Sequence, residues 1–250
     1  MNAFEQHGIT HLSASQLNLY KSAPALWGME RLLGKRGGVG ISADRGTATE
    51  TGVAMGLRDP KLPLSECVKY ATDQFNRLTA LKPGDKDKER DALPGFIETA
   101  LKELRQYGTP DFPERGQHKI KLKIPEIPVP LVGYLDFVYP EHGLVVDLKT
   151  THRVPGEISP THAIQGAIYE RATNYEVRFA YTSPKKIQVY KLENSADHIK
   201  AVVEVAKRLE RFLALSTDPQ ELVALMVPDY DSFYWNDPNT RALGKEVFGF

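Results

Sequence analysis

Residues 131–151 read LVGYLDFVYPEHGLVVDLKTT, two apolar runs around a Pro-Glu-His-Gly turn, each giving one position to an aspartate. A four-residue hairpin loop over Pro140–Gly143 faces Tyr139 with Leu144. Counting back along both strands then sets Asp136 opposite Asp147. Opposed side chains of an antiparallel pair lie about 5 Å apart at Cβ, where like charges repel. Two carboxylates held that way need a neutralising partner, and a hard divalent cation bound through oxygen is the natural one. Lys149, two residues beyond Asp147, points to the same face of its strand. Asp136, Asp147 and Lys149 are therefore candidate catalytic residues of a metal-assisted hydrolytic site, with phosphodiesters as the expected substrate class. Two solvated aspartates on an exposed face are the alternative. The flanking Val132, Tyr134 and Val145 make both runs apolar on each face, as buried strands are, and an unpaired carboxylate is costly there.

Working outward, the chain upstream reads as helical. Ser13 and Gln16 have capping-box spacing for a helix that stops near Pro24. After a glycine-rich break at Gly34–Gly40, Ser42 is the expected cap of a small-residue helix, ADRGTATETGVAMGL. Leu64–Leu78 and Gly95–Tyr107 read as two more helices, joined by a charged connector (PGDKDKERD) expected to be a mobile loop. From His118 the period changes to two, with Lys119, Lys121 and Lys123 forming one basic face. Downstream come a helix opened by Ser159-Pro160, strands at Val177–Thr182 and Ile187–Leu192, and a long amphipathic helix over Ala196–Leu215. The order predicts an α/β (α+β) fold, a central mixed sheet of about five strands flanked by helices. One domain over residues 1–250 is expected, with a mainly helical part (1–110), a sheet core (115–215) and an aromatic C-terminal extension (216–250).

Thirty-two basic and 32 acidic residues give a formal net charge of zero, which does not by itself suggest nucleic acid and leaves room for local positive charge in a groove. The single cysteine, Cys67, excludes an intramolecular disulfide, a cysteine zinc site and a cysteine-ligated iron–sulfur cluster. No apolar run approaches the roughly 18 residues of a membrane span, and nothing resembles a signal peptide. A soluble protein of a reducing compartment, without membrane partners, is the expectation.

Glu50 shares a helix face with Ala43, Thr47 and Ala54, the side expected to pack inward. It is either a third metal ligand or an ordinary solvent-facing glutamate. Gln165 and Tyr169, four apart, share a face of the next helix. They either contact a phosphate backbone or base, or are a surface glutamine beside a half-buried tyrosine. His162 lies on the same side and reads as a capping or surface residue. Arg31, Lys35, Arg36, Arg45, Lys185 and Lys186 add scattered positive charge.

The GYLDF and VVDLKT stretches together resemble motifs II and III of the PD-(D/E)xK nuclease superfamily. Three further stretches resemble its RecB-type and phage-exonuclease branches. LSASQLNLYKSAPALW (Leu12–Trp27) is similar to the N-terminal S-x-S-x-L-x-x-Y…P…W stretch, RGTATETG (Arg45–Gly52) to the helix supplying motif I, and QGAIY (Gln165–Tyr169) to the Q-x-x-x-Y motif. Glu50 stands where many RecB-type members have histidine and lambda-exonuclease-type enzymes have glutamate. The four cysteines that hold an iron–sulfur cluster in some relatives are missing, so Trp235 and Phe248 are the expected stabilisers of the C-terminal segment. The resemblance implies a restriction-endonuclease-like core and a metal-dependent DNA exonuclease of recombination, repair or replication. It implies that Glu50, Asp136, Asp147 and the backbone carbonyl of Leu148 bind one or two Mg²⁺ or Mn²⁺ ions. Gln165, Tyr169, Ser13, Ser15, Tyr20 and Arg45 would contact single- or double-stranded DNA at an end. A recombination or replication protein is the partner class such an activity admits, and the cytoplasm (the host's, for a phage protein) its expected place. Other readings are an inactive DNA-binding module on the same fold, a restriction-type endonuclease and a hydrolase of small phosphoesters.

Overall fold

Helices α1 (Ala3–Gln6), α2 (Ala14–Ser22), α3 (Pro24–Arg31) and α4 (Ile41–Arg58) open the chain, whose computed structural model describes residues 1–114 and 116–250. Ser13 caps α2 as expected, its hydroxyl accepting the Gln16 N–H at 3.3 Å. Pro24 ends α2 and also begins α3, because a first-turn proline lacks only an N–H that would be unpaired anyway. Gly40, not Ser42, is the N-cap of α4, and no side chain caps it. Next come α5 (Leu64–Thr79), α6 (Asp87–Asp91) and α7 (Leu93–Leu104). The connector expected to be a mobile loop therefore contains a short helix. Its Glu89 is bonded to Arg45 and His152.

The strands are β1 (His118–Leu122), β2 (Leu131–Leu135), β3 (Phe137–Tyr139), β4 (Leu144–Thr150), β5 (Glu176–Thr182) and β6 (Ile187–Lys191). Four of them form a mixed sheet in the order β3-β4-β5-β6, and β1 pairs with β2 separately. The β4–β5 pair is parallel and so needs a crossover, which α8 (Pro160–Thr173) supplies. The hairpin turn is the expected one. Pro140–His142 make a 3-10 turn, Gly143 takes a left-handed φ of 56°, and Tyr139 faces Leu144. The ladder then runs through Val138–Val145 to Phe137–Val146 and stops. At Asp136 the chain bends out of the sheet and continues backward as β2, so the expected Asp136–Asp147 rung is not formed. A paired rung would press two carboxylates together at close range, and the bend relieves that repulsion.

Both sheet faces are covered. Leu144, Val146, Leu148, Phe137 and Tyr139 pack under α4, α5 and α7, so the helical first part of the chain belongs to the core. Val145, Val177, Phe179 and Tyr181 pack on the other face with α2, α8 and α9 (Ser195–Leu213). After α10 (Pro219–Ala224), residues through α11 (Pro238–Phe248) form a third cluster. There Trp235, 1% exposed, packs with Ala23, Ala25, Leu26 and Met29, and Phe248 lies against it at 6.3 Å between ring centroids.

Candidate active site

The alternation of β4 decides which of its side chains can do chemistry. Leu144, Val146 and Leu148 point to one face; Val145, Asp147 and Lys149 share the other. Asp147 is 1% exposed. Lys149 Nζ lies 2.6 Å from Asp147 Oδ1. The ammonium is the charge that offsets this buried oxygen. Asp136, at the bend between β2 and β3, accepts the Leu148 N–H on Oδ2 at 2.8 Å. Glu50 reaches in from α4, and Gln117 bridges it to Asp136. The Gln117 amide donates to Glu50 Oε1 at 2.5 Å and to Asp136 Oδ1 at 3.3 Å.

Electrostatics mark the cluster as strained. Burial first, then the charges of Asp147 and Glu50, push the Asp136 carboxyl well above the usual range. Burial also raises Asp147, against the opposing Lys149 ammonium, and raises Glu50 against the Gln117 hydrogen bond. For Lys149, burial favours the neutral form, but Asp147 and Asp136 outweigh it and leave the ammonium harder to deprotonate than usual. Three carboxylates are thus gathered around one fixed cation.

Their chemistry suits a hard divalent ion. All the candidate donors are oxygens, they share a single ammonium, and the surplus charge is negative. Among the described residues, no three His, Cys, Asp or Glu side chains are placed so that they could already hold a metal. The Gln117 amide instead stands between two of the expected ligands. Sequence reasoning missed Gln117, whose local sequence carries no signal and which arrives only through the fold.

An open cleft of about 830 Å³ adjoins the cluster and is lined by Asp136, Lys149, Ser13, Ser15, Gln165 and Arg31, among others. Ser13 and Ser15 bond each other at 3.0 Å across the start of α2. Gln165 is half-buried and donates to Tyr169 Oη at 2.7 Å. Tyr169 itself is 4% exposed, and its hydroxyl donates to the Tyr134 carbonyl at 2.7 Å. Its ring edge also occupies the space a side chain at Gly133 would need, 2.6 Å from such a Cβ. Tyr169 therefore fastens β2 near Asp136, its ring almost wholly buried in the cleft wall. Tyr20 packs edge-on against Trp27, 5.3 Å away, instead of lining the cleft. Arg45, expected at the DNA surface, is 5% exposed. Its guanidinium is taken up by Glu89 at 2.5 Å and by the Thr150 carbonyl at 3.1 Å, and it lies 4.9 Å from the Phe96 ring centroid. A buried guanidinium keeps its charge only when paired, and this pairing removes it from the groove. Arg31 does face the cleft; with the Gln16 side-chain oxygen turned toward it, its guanidinium donates at 3.0 and 3.2 Å.

The family model of the PD-(D/E)XK nuclease superfamily matches residues 11–231, which takes in α2 to α4, the hairpin and α8. The chain belongs to that superfamily. The mixed sheet flanked by helices is accordingly a PD-(D/E)XK fold. Membership supports a hydrolase acting on nucleic acid, with DNA the implied substrate. Enzymes of this superfamily generally use divalent ions such as Mg²⁺. A solved structure, that of SSO0001, is similar at 12% identity and a TM-score of 0.35, over 78% of this chain and 85% of its own. Among curated proteins, none matches the chain. Among the described residues, no helix is long and apolar enough to cross a membrane.

Proposed function

We propose that this PD-(D/E)XK protein is a metal-dependent deoxyribonuclease acting as an exonuclease, of the RecB-type or lambda-exonuclease-like phage branch, in recombination, repair or replication. The observation that carries this reading is the gathering of Glu50, Asp136 and Asp147 around Lys149 at the wall of an open cleft. Glu50, Asp136, Asp147 and the Leu148 carbonyl would hold one or two Mg²⁺ or Mn²⁺ ions. When bound, such an ion supplies a water of lowered pKa and polarises the scissile phosphate. Lys149, kept protonated by its carboxylate neighbours, offsets the charge that builds on the phosphate oxygens. Gln165, Ser13 and Ser15 present hydrogen-bonding groups to the strand inside the cleft. The exposed Lys119 and Lys121 of β1 lie beside it, Lys119 facing Tyr134 across the β1–β2 pair, and supply local positive charge to a chain of zero net charge.

End-labelled linear DNA, single- and double-stranded, incubated with Mg²⁺, Mn²⁺ or EDTA tests the reading. Metal-dependent release of label by the native protein, absent in Asp147→Ala, is the expected result. No release in any metal overturns it. A second reading, a DNA-binding module without catalysis, is favoured by the Gln117 amide standing between two ligands. DNA bound but uncut in every metal would establish that alternative.

A further inference from the structure

His162 lies in the first turn of α8, and neither the metal ligands nor the strand-gripping residues account for it. Half-buried, it lines the same cleft as Asp136 and Lys149. Its ring stacks on Phe179 at 5.8 Å and 18°, and the Lys149 ammonium sits 5.9 Å from the centroid of that same ring. One aromatic platform therefore carries both side chains.

Hydrogen-bond accounting favours one tautomer of the imidazole. Tyr181 is 3% exposed; its hydroxyl oxygen accepts the Ser159 N–H at 3.4 Å and stands 2.7 Å from His162 Nδ1. Two acceptors are within reach of the Tyr181 hydroxyl proton, His162 Nδ1 and the Ser159 hydroxyl oxygen. The Ser159 hydroxyl oxygen already accepts the His162 backbone N–H and shares a hydrogen bond with Thr161 Oγ1, whereas an unprotonated Nδ1 at 2.7 Å would take the Tyr181 proton with no competitor. The Tyr181 hydroxyl therefore donates to Nδ1, and the ring proton resides on Nε2. Among the described residues Nε2 has no hydrogen-bond partner, and it is not sealed off from solvent. Burial first, then the nearby Lys149 ammonium, hold the imidazole down to about 4, so at neutral pH it is an uncharged donor.

We propose that His162 is a substrate-contacting residue of this site, whose Nε2–H, oriented by Tyr181, donates to a non-bridging oxygen of the DNA phosphate beside Lys149. The proposal rests on the deoxyribonuclease reading. The arrangement adds a directional hydrogen bond to the point charge of Lys149, and directional donors fix the orientation of a phosphate more closely than an ammonium does.

The test is steady-state cleavage of linear DNA in Mg²⁺ by the full chain and four variants: His162→Ala, His162→Gln, His162→Asn and Tyr181→Phe. His162→Ala is expected to lower kcat/KM about 10- to 100-fold, the range for losing a hydrogen bond to a charged group. His162→Gln, whose amide nitrogen reaches the Nε2 position, should recover part of the loss, and His162→Asn should not. Tyr181→Phe should show a smaller defect of the same kind. Because His162→Ala also removes a ring from the Phe179 stack, the native protein is examined in parallel by ¹⁵N resonances of the histidine rings. The expected signature for His162 is a protonated Nε2 and an unprotonated Nδ1 at neutral pH. The opposite tautomer, or a native rate in His162→Ala, overturns the proposal while leaving the nuclease reading intact. A native protein that cuts no DNA ends both.

Discussion

The Asp136 carboxylate accepts the Leu148 N–H at 2.8 Å at the point where the β3–β4 ladder stops. A side chain thus takes over from a partner strand at the rung where two aspartates would otherwise face each other. The exchange lets both carboxylates approach one site without being paired in the sheet.

Charge removal at Asp136 should therefore stabilise the fold. Its folded pKa lies above the ordinary 3.8, so the group favours folding below that pH, and this contribution is lost as pH rises through the folded pKa. Asp136→Asn keeps an acceptor for Leu148 and carries no charge. In metal-free buffer at neutral pH its Tm should exceed the native value by about 2–4 °C for each kcal/mol of relieved repulsion. The gain should shrink to nothing near pH 3.8, and thermal melts across that range would show it. A Tm gain independent of pH would contradict the charge argument.

Asp147→Ala should remove cleavage altogether, a larger loss than the roughly 10–100-fold typical of an outer partner of a metal ligand. The fold should persist, since the change deletes a carboxylate whose burial is unfavourable. Circular dichroism paired with the end-label assay would reveal whether the two properties separate in this way.

For Lys149→Ala, turnover should fall about 10²- to 10³-fold, the range for losing one transition-state donor, with DNA affinity changed much less. Equal losses in kcat and in affinity would move Lys149 from chemistry to binding.

Tyr169→Phe removes the hydroxyl that links Gln165 to the Tyr134 carbonyl. Leaving these partners unsatisfied should cost about 1–3 kcal/mol of stability. Because the ring is buried, DNA affinity should hold while turnover drops through misplacement of Asp136. Weakened DNA binding at unchanged turnover would instead restore Tyr169 as a direct DNA contact.

Arg45→Met should destabilise the protein by about 3–5 kcal/mol, the usual result of stripping one partner from a buried ion pair, with little effect on DNA binding. Glu89 is held below the usual glutamate range, Arg45 and His152 outweighing its burial. The sign is then opposite to that of Asp136: this pair's contribution is present above the unfolded pKa of Glu89 and fades as pH falls through the folded one. Denaturant titrations of native and variant protein should converge in acid.

The hairpin and its neighbours were legible because their signals are local. Two continuous apolar runs, a Pro-Glu-His-Gly turn and an aspartate in each run fix the Tyr139–Leu144 register within about twenty residues of chain. The end of that register at Asp136 was not legible, since it depends on β2 leaving to pair with β1. Arg45 and Tyr20 misled for a related reason. A cation and a tyrosine in a plausible motif look alike whether they face a groove or a core, and only the arrival of Glu89 and Trp27 from elsewhere decides it. Gln117 was invisible on the same grounds, being an exposed glutamine whose importance comes from meeting Glu50, 67 positions away.

The C-terminal cluster gives the cleft a mechanical dependence on distant sequence. Trp235 is wedged against α3; Arg31, the last residue of that helix, and Tyr234, beside the tryptophan, both line the cleft. The carboxylates, by contrast, hang on the sheet and α4. A proteolytic nick near Pro228 would thus uncouple the two halves of the job: the chemical apparatus would stay assembled while the wall that receives the substrate lost its backstop.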